Sequence, residues 1–168
     1  MDLFLFRHGP SEARDPVRWP RDDDRPLSEK GTDETATAAR GLARLDPEIR
    51  RVVSSPARRA DATAALVREA LGVARAVDHW EELAPDAPAG PLLARVASEG
   101  RRAQGAVLVG HEPVLSELVG LALTGEAVSV VHFSRAGAAR VAFDRSVVPG
   151  AGALDWLLTR RQLCALAP

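Results

Sequence analysis

Leu3-Phe4-Leu5-Phe6, followed at once by Arg7-His8-Gly9, is the stretch that decides the fold. A short apolar run of this kind reads as a strand buried on both faces, the type found in sheets covered by helices on each side. In an open α/β sheet, ligands occupy the crevice beyond the carboxyl ends of the strands. The run delivers a cation, an ionisable ring and a residue without a side chain to that crevice. The tripeptide alone leaves two readings open: a hydrogen-bonded loop histidine, or a group for nucleophilic or acid–base chemistry on an anion. Arginine supplies nearly all the positive charge here, Lys30 being the one lysine. A single arginine is therefore weak evidence for bidentate recognition. The other strand ends have to decide.

Outward from this stretch, apolar strand candidates alternate with helical patterns, the mark of an α/β fold. Glu12 to Pro26 is charged and proline-containing, with Asp22-Asp23-Asp24 between Arg21 and Arg25, and reads as a solvated loop, a docking surface being the alternative. Ser28 is placed to cap a helix to about Leu45. Arg51-Val52-Val53-Ser54 reads as a second strand. Ser55-Pro56 then offers an N-cap and a first-turn proline for a helix to about Leu71. Ala74 to Val77 is a candidate third strand, and Ala84 to Pro91 a loop by composition. A helix from about Leu92 to Arg101 leads to the apolar strand Ala106-Val107-Leu108-Val109. Gly110-His111-Glu112-Pro113 follows it, then a helix to about Leu123. Two more strands are expected at Ala139 to Phe143 and Leu154 to Leu158.

Composition narrows the function classes. The 168 residues, 46% hydrophobic, suit one domain spanning 1–168 with a normal core. A net charge of −1 lacks the basic surplus of a nucleic-acid binder. The lone Cys164 excludes an internal disulfide framework and a cysteine-rich zinc site. Nothing resembles a signal peptide or a bilayer-spanning run, so a cytoplasmic protein without membrane association is expected. His79 and His132 lack the close spacing of a metal motif, and neither metal nor cofactor is expected.

Three strand ends now present cations or imidazoles: Arg7 and His8, then Arg58 and Arg59, then His111. Arginine at a helix N-terminus opposes the helix dipole unless an anion is near, and free backbone N–H groups there already favour phosphate. Ala60, Thr63, Ala64, Val67 and Leu71 form the buried stripe of that helix. At about 100° per residue, Arg58 points away from the stripe and Arg59 lies at its flank, so Arg59 can reach the site and Arg58 faces solvent. His111 is either a helix-capping histidine or part of the same site.

The ordered set of motifs resembles the histidine phosphatase superfamily, with its phosphoglycerate-mutase-like fold, and within it the small bacterial phosphohistidine phosphatases of the SixA type. The matching pieces are Leu5-Phe6-Arg7-His8-Gly9, Arg25-Pro26-Leu27-Ser28-Glu29-Lys30-Gly31, Ser54-Ser55-Pro56-Ala57-Arg58-Arg59-Ala60-Asp61-Ala62-Thr63, Glu82-Leu83-Ala84-Pro85 and Val109-Gly110-His111-Glu112-Pro113. The resemblance implies a three-layer α/β/α fold with a central, mostly parallel sheet and no sizeable lid insertion. It also implies a phosphatase in which His8 accepts the phosphoryl group while Arg7, Arg59 and His111 hold its oxygens, with Gly9 leaving room for phosphate. Glu82 matches the position of the general acid in larger members; Asp86 or solvent is the fallback. The implied partner is a phosphorylated protein, with phosphate or another oxyanion in the pocket. A small-molecule phosphomonoesterase and a non-catalytic phosphate-binding module are the alternatives.

Overall fold

A computed structural model describes residues 1–45 and 49–168 of the chain. Among these residues six strands form one sheet: β1 (Asp2–Arg7), β2 (Arg51–Ser54), β3 (Asp78–His79), β4 (Ala106–Gly110), β5 (Ala138–Phe143) and β6 (Gly152–Leu158). Five α-helices accompany them: α1 (Glu29–Leu45), α2 (Arg58–Ala70), α3 (Ala89–Glu99), α4 (Val114–Thr124) and α5 (Arg160–Leu166). The sheet order is β3-β2-β4-β1-β5-β6. The pairings β3–β2, β2–β4 and β4–β1 are parallel; β1–β5 and β5–β6 are antiparallel.

The N-terminal run shows why both faces of the sheet must be covered. Successive side chains of a strand point to opposite faces. Leu3 and Leu5 accordingly enter one core cluster, with α3 and α4 residues such as Leu92, Leu93, Leu115 and Leu118. Phe4 and Phe6 enter the other, with Ala38, Leu42, Ala64 and Val67 of α1 and α2 and Leu163 of α5. β4 divides its residues in the same way, Leu108 to the first cluster and Val107 and Val109 to the second. The connections from β1 to β2 and from β2 to β3 run in one direction across the sheet, and the connection from β3 to β4 runs back. A right-handed crossover then puts α1 and α2 on one face and α3 on the other. The result is the three-layer α/β/α arrangement.

Local signals account for most of the boundaries. Ser28 Oγ accepts from Gly31 N at 3.0 Å and starts α1 where expected. The start of α2 differs from the sequence expectation. Its N-cap is Ala57, with no side-chain capping bond. Ser55 N still donates to Val109 O at 2.9 Å, so the residue belongs to the sheet end, and its hydroxyl accepts from Ala57 N at 3.3 Å. The third strand falls at Asp78–His79, later than Ala74 to Val77, because its register is set by pairing with Val53 and Ser54. α3 begins at Ala89 and ends at Glu99, where Gly100 adopts a positive φ and a 3₁₀ turn follows. α5 has no counterpart in the sequence reading. A capping box starts it, Thr159 and Gln162 bonding reciprocally, and its fully buried Leu163 packs against α1 beside Gly41.

Candidate active site

Strand register assembles the site. β1 pairs with β4 so that Arg7 lies opposite Gly110, and β2 pairs with β4 so that Ser54 lies opposite Val109. The residues that follow, His8, His111 and Ser55, therefore emerge together at one sheet edge. The His8 and His111 rings end 4.9 Å apart, centroid to centroid. Arg59 arrives from the first turn of α2 and is 3% exposed, whereas Arg58 beside it is exposed and rests over the Trp19 ring at 6.0 Å.

The hydrogen bonds fix the orientation of each group. His8 Nδ1 lies 2.7 Å from Gly9 O. A carbonyl only accepts, so Nδ1 carries the proton and Nε2 carries the lone pair. Gly9 N donates to Thr63 Oγ1 at 3.0 Å, and the same hydroxyl donates to Arg59 O at 2.7 Å. One buried threonine thus joins the turn after β1 to the turn bearing Arg59. Gly9 is required for close approach: an added Cβ would stand 1.9 Å from Thr35 Oγ1 of α1. His111 Nε2 lies 2.9 Å from Ser55 Oγ, and this hydroxyl also accepts from Ala57 N at 3.3 Å. If the Ser55 proton goes to His111 Nε2, Nδ1–H is left as a donor.

Arg7 donates from Nη1 to Phe133 O at 2.5 Å. Glu112, next to His111, holds that loop by accepting from Phe133 N at 2.8 Å, and its other oxygen accepts from Ser116 Oγ at 2.6 Å. Arg59 donates to Asp22 O at 2.7 Å, and its Nη2 stands 3.1 Å from Asp22 Oδ2. Arg25 donates from Nε to Asp22 Oδ1 at 3.0 Å and from Nη1 to Ser11 Oγ at 2.8 Å. Part of the stretch from Glu12 to Pro26 is therefore anchored over the site, in contrast to the solvated loop expected, although Val17 is 89% exposed. Arg25, Asp22, Thr63 and Glu112 were not singled out in the sequence. Their roles depend on contacts between distant segments, and only the motif context of Arg25, Thr63 and Glu112 hinted at them.

Electrostatics favour neutral imidazoles and a bound anion. Burial, then the charges of Arg59, Arg7 and Arg135, outweigh the Gly9 hydrogen bond and push His8 down to about 3. Burial, His8, Arg59, Arg7 and Arg25 push His111 down to about 2. Among the described residues, three buried side-chain nitrogens have no hydrogen-bond partner: Arg7 Nε, Arg59 Nε and His111 Nδ1. Unpaired buried donors are costly. The charges of Arg7 and Arg59 act on both His8 and His111, and donors so grouped suit a tetrahedral oxyanion, which can accept from several at once.

Glu82 is engaged elsewhere. Its two oxygens lie 3.0 and 3.2 Å from Arg95 Nη1. Burial acts to raise its pKa, but the hydrogen bond and charge of Arg95 outweigh that and hold the carboxyl below its ordinary range. Asp86 is exposed, with φ of 62°, in a hollow it shares with Asp22, Asp23 and Arg14. Among the described residues no group of three or more His, Cys, Asp or Glu is placed to hold a metal ion.

The model of the histidine phosphatase superfamily (branch 1) matches residues 3–85. The phosphohistidine phosphatase SixA of Escherichia coli is 31% identical over 160 residues, covering 95% of this chain and 94% of that protein. The chain belongs to the histidine phosphatase superfamily. The fold of SixA, a protein histidine phosphatase solved with tungstate, superposes with a TM-score of 0.83 at 29% identity, covering 97% of this chain and 99% of that one. A mycobacterial glucosyl-3-phosphoglycerate phosphatase solved with VO3 shares the fold alone, at 19% identity and a TM-score of 0.70 over 94% of this chain and 99% of that one. As a superfamily member similar to SixA, the chain is a phosphatase. No helix among the described residues is long and apolar enough to cross a membrane.

Proposed function

We propose that this phosphatase removes the phosphoryl group from phosphohistidine on a protein, by way of a phosphorylated His8. The observation that carries the reading is the His8 ring, bonded through Nδ1 to Gly9 O so that Nε2 keeps its lone pair, 4.9 Å from the His111 ring and under the charges of Arg59 and Arg7. Nε2 attacks phosphorus with its lone pair as the bond from phosphorus to the substrate nitrogen breaks, and the leaving imidazole takes a proton from solvent. Water then attacks the His8 phosphoramidate, releasing inorganic phosphate and restoring neutral His8. Arg7, Arg59 and His111 stabilise the charge spread over the equatorial oxygens, where most of the work of phosphoryl transfer lies. Gly9 lets the strand end sit close enough for this clamp.

The leaving nitrogen of a phosphoramidate is basic and is protonated before departure more readily than the bridging oxygen of an alkyl phosphate ester. Such a substrate makes little demand on an enzymic acid, which fits a Glu82 held ionised by Arg95. Glu82→Gln accordingly leaves kcat on a phosphoramidate within about threefold of the parent, as measured by phosphate release. The segment from Trp80 to Pro88 forms one 3₁₀ turn and a loop, with no helical lid, so a side chain on a protein surface has access. The deciding test compares kcat/KM on a phosphohistidine protein with a panel of sugar phosphates and phosphoserine. Preference for the phosphohistidine protein is expected; preference for sugar phosphates would establish the small-molecule phosphomonoesterase instead.

A further inference from the structure

Beside the oxyanion pocket lies a second hollow, of about 390 Å³, lined by Pro10, Ser134, Arg135, Thr159, Arg160 and Arg161. Its place relative to His8 is fixed through the backbone. Ala136 N lies 3.1 Å from Arg7 O and 3.2 Å from His8 O, and Arg7 Nη1 donates to Phe133 O. Arg135 thus stands in a short loop clamped on both sides to the reactive tripeptide. Arg160 N donates to Ser134 Oγ at 3.0 Å, which ties the start of α5 to the same loop. Arg135 also contributes to the low pKa of both Arg7 and His8, so its charge is felt at the pocket.

The three arginines are not equivalent. Arg160 is compensated by Glu34, 2.5 Å away. Arg135 and Arg161 are exposed and have no ion pair among the described residues. The hollow on another side of the mouth has the opposite character: Asp22, Asp23 and Asp86 line it with Arg14. A chain of net charge −1 therefore presents a polarised rim around its pocket. Nothing in phosphoryl transfer calls for Arg161.

We propose that the hollow of Arg135 and Arg161 receives acidic side chains that flank the phosphorylated residue of a protein substrate. This rests on the phosphoprotein reading above and adds which face of the partner is recognised. Guanidinium groups pair with carboxylates in a planar, two-point manner, and a basic patch facing an acidic one fixes orientation and speeds encounter. The acidic hollow repels the same segment, so the partner docks in one direction only.

The test uses fluorescein-labelled peptides in which a triazole phosphonate replaces phosphohistidine, flanked by aspartates or by asparagines. Binding is read by anisotropy on the His8→Ala protein, which needs no turnover. The aspartate peptide binds about tenfold more tightly, the combined worth of two exposed ion pairs, and Arg135→Gln/Arg161→Gln in that background removes the difference. The preference shrinks in about 0.5 M salt. Equal affinity for the two peptides, or a preference that survives the double substitution, overturns the proposal. In parallel, Arg161→Gln in the otherwise native protein lowers kcat/KM on an aspartate-flanked phosphohistidine peptide and leaves N-phosphoimidazole turnover unchanged. Failure of the native protein to hydrolyse either compound would overturn the phosphohistidine reading, whereas the anisotropy result bears on the docking surface alone.

Discussion

Thr63→Val probes the joint between the two halves of the site. The Thr63 hydroxyl is fully buried, accepts from Gly9 N at 3.0 Å and donates to Arg59 O at 2.7 Å. Valine has nearly the same shape and no oxygen. Arg59 O keeps its place within α2, so its loss is small. Gly9 N–H, however, is left buried without an acceptor, a penalty of about 1–3 kcal/mol. In a domain of this size each kcal/mol lowers Tm by about 2–4 °C, so a fall of about 2–12 °C is expected by calorimetry. Activity should suffer more than stability. The Gly9 carbonyl holds the His8 ring, and a displacement of about 1 Å at a reacting group costs about 100-fold. We therefore expect kcat/KM to fall about 10- to 100-fold at a temperature where the variant remains folded, and Thr63→Ser to restore most of it. A variant with the expected Tm loss but kcat/KM within about twofold of the parent would refute the positioning role.

Two further outcomes follow from the same geometry. His8 and His111, pushed down to about 3 and 2, stay neutral in the fold where the unfolded chain takes up protons below about 6.5. The unfolded state then binds more protons, so stability rises with pH across that window and is lost on acidification from about pH 7 toward 4. Urea midpoints at pH 7 and 5 should show the loss, and a smaller loss in His111→Asn; equal slopes would contradict the assignment. Asp22→Asn removes the negative charge that Arg59 and Arg25 share but keeps the Asp22 carbonyl that anchors Arg59, so vanadate should inhibit several-fold more tightly; unchanged inhibition would contradict the shared pairing.

The parts legible in the sequence were those governed by local pattern. The alternation of Leu3-Phe4-Leu5-Phe6 between two cores, the burial of Ala106 to Val109 and the stripe of α2 all follow from side-chain period, and the 100° count separated buried Arg59 from exposed Arg58. Register then did the rest, since Arg7 opposite Gly110 brings two histidines together that are far apart in the chain. What stayed hidden was set by tertiary contact. β3 is two polar residues whose strand character comes from pairing with β2. α5 is short, and its Thr159–Gln162 capping box was the one available signal. Ser55 offered a plausible cap, yet its hydroxyl serves His111, a choice made by the sheet end and invisible to helix rules. Glu82 pairs with Arg95 of the next helix, a contact that no motif announces.

The central claim is that His8 carries the phosphoryl group between substrate and water. Rapid acid-free quenching with a ³²P-labelled phosphoramidate, followed by alkaline peptide mapping, tests it most directly. The account predicts alkali-stable, acid-labile label on the peptide containing His8, and none in His8→Ala, which should still bind vanadate. Turnover surviving in His8→Ala, or label mapping to His111 or another residue, would contradict it.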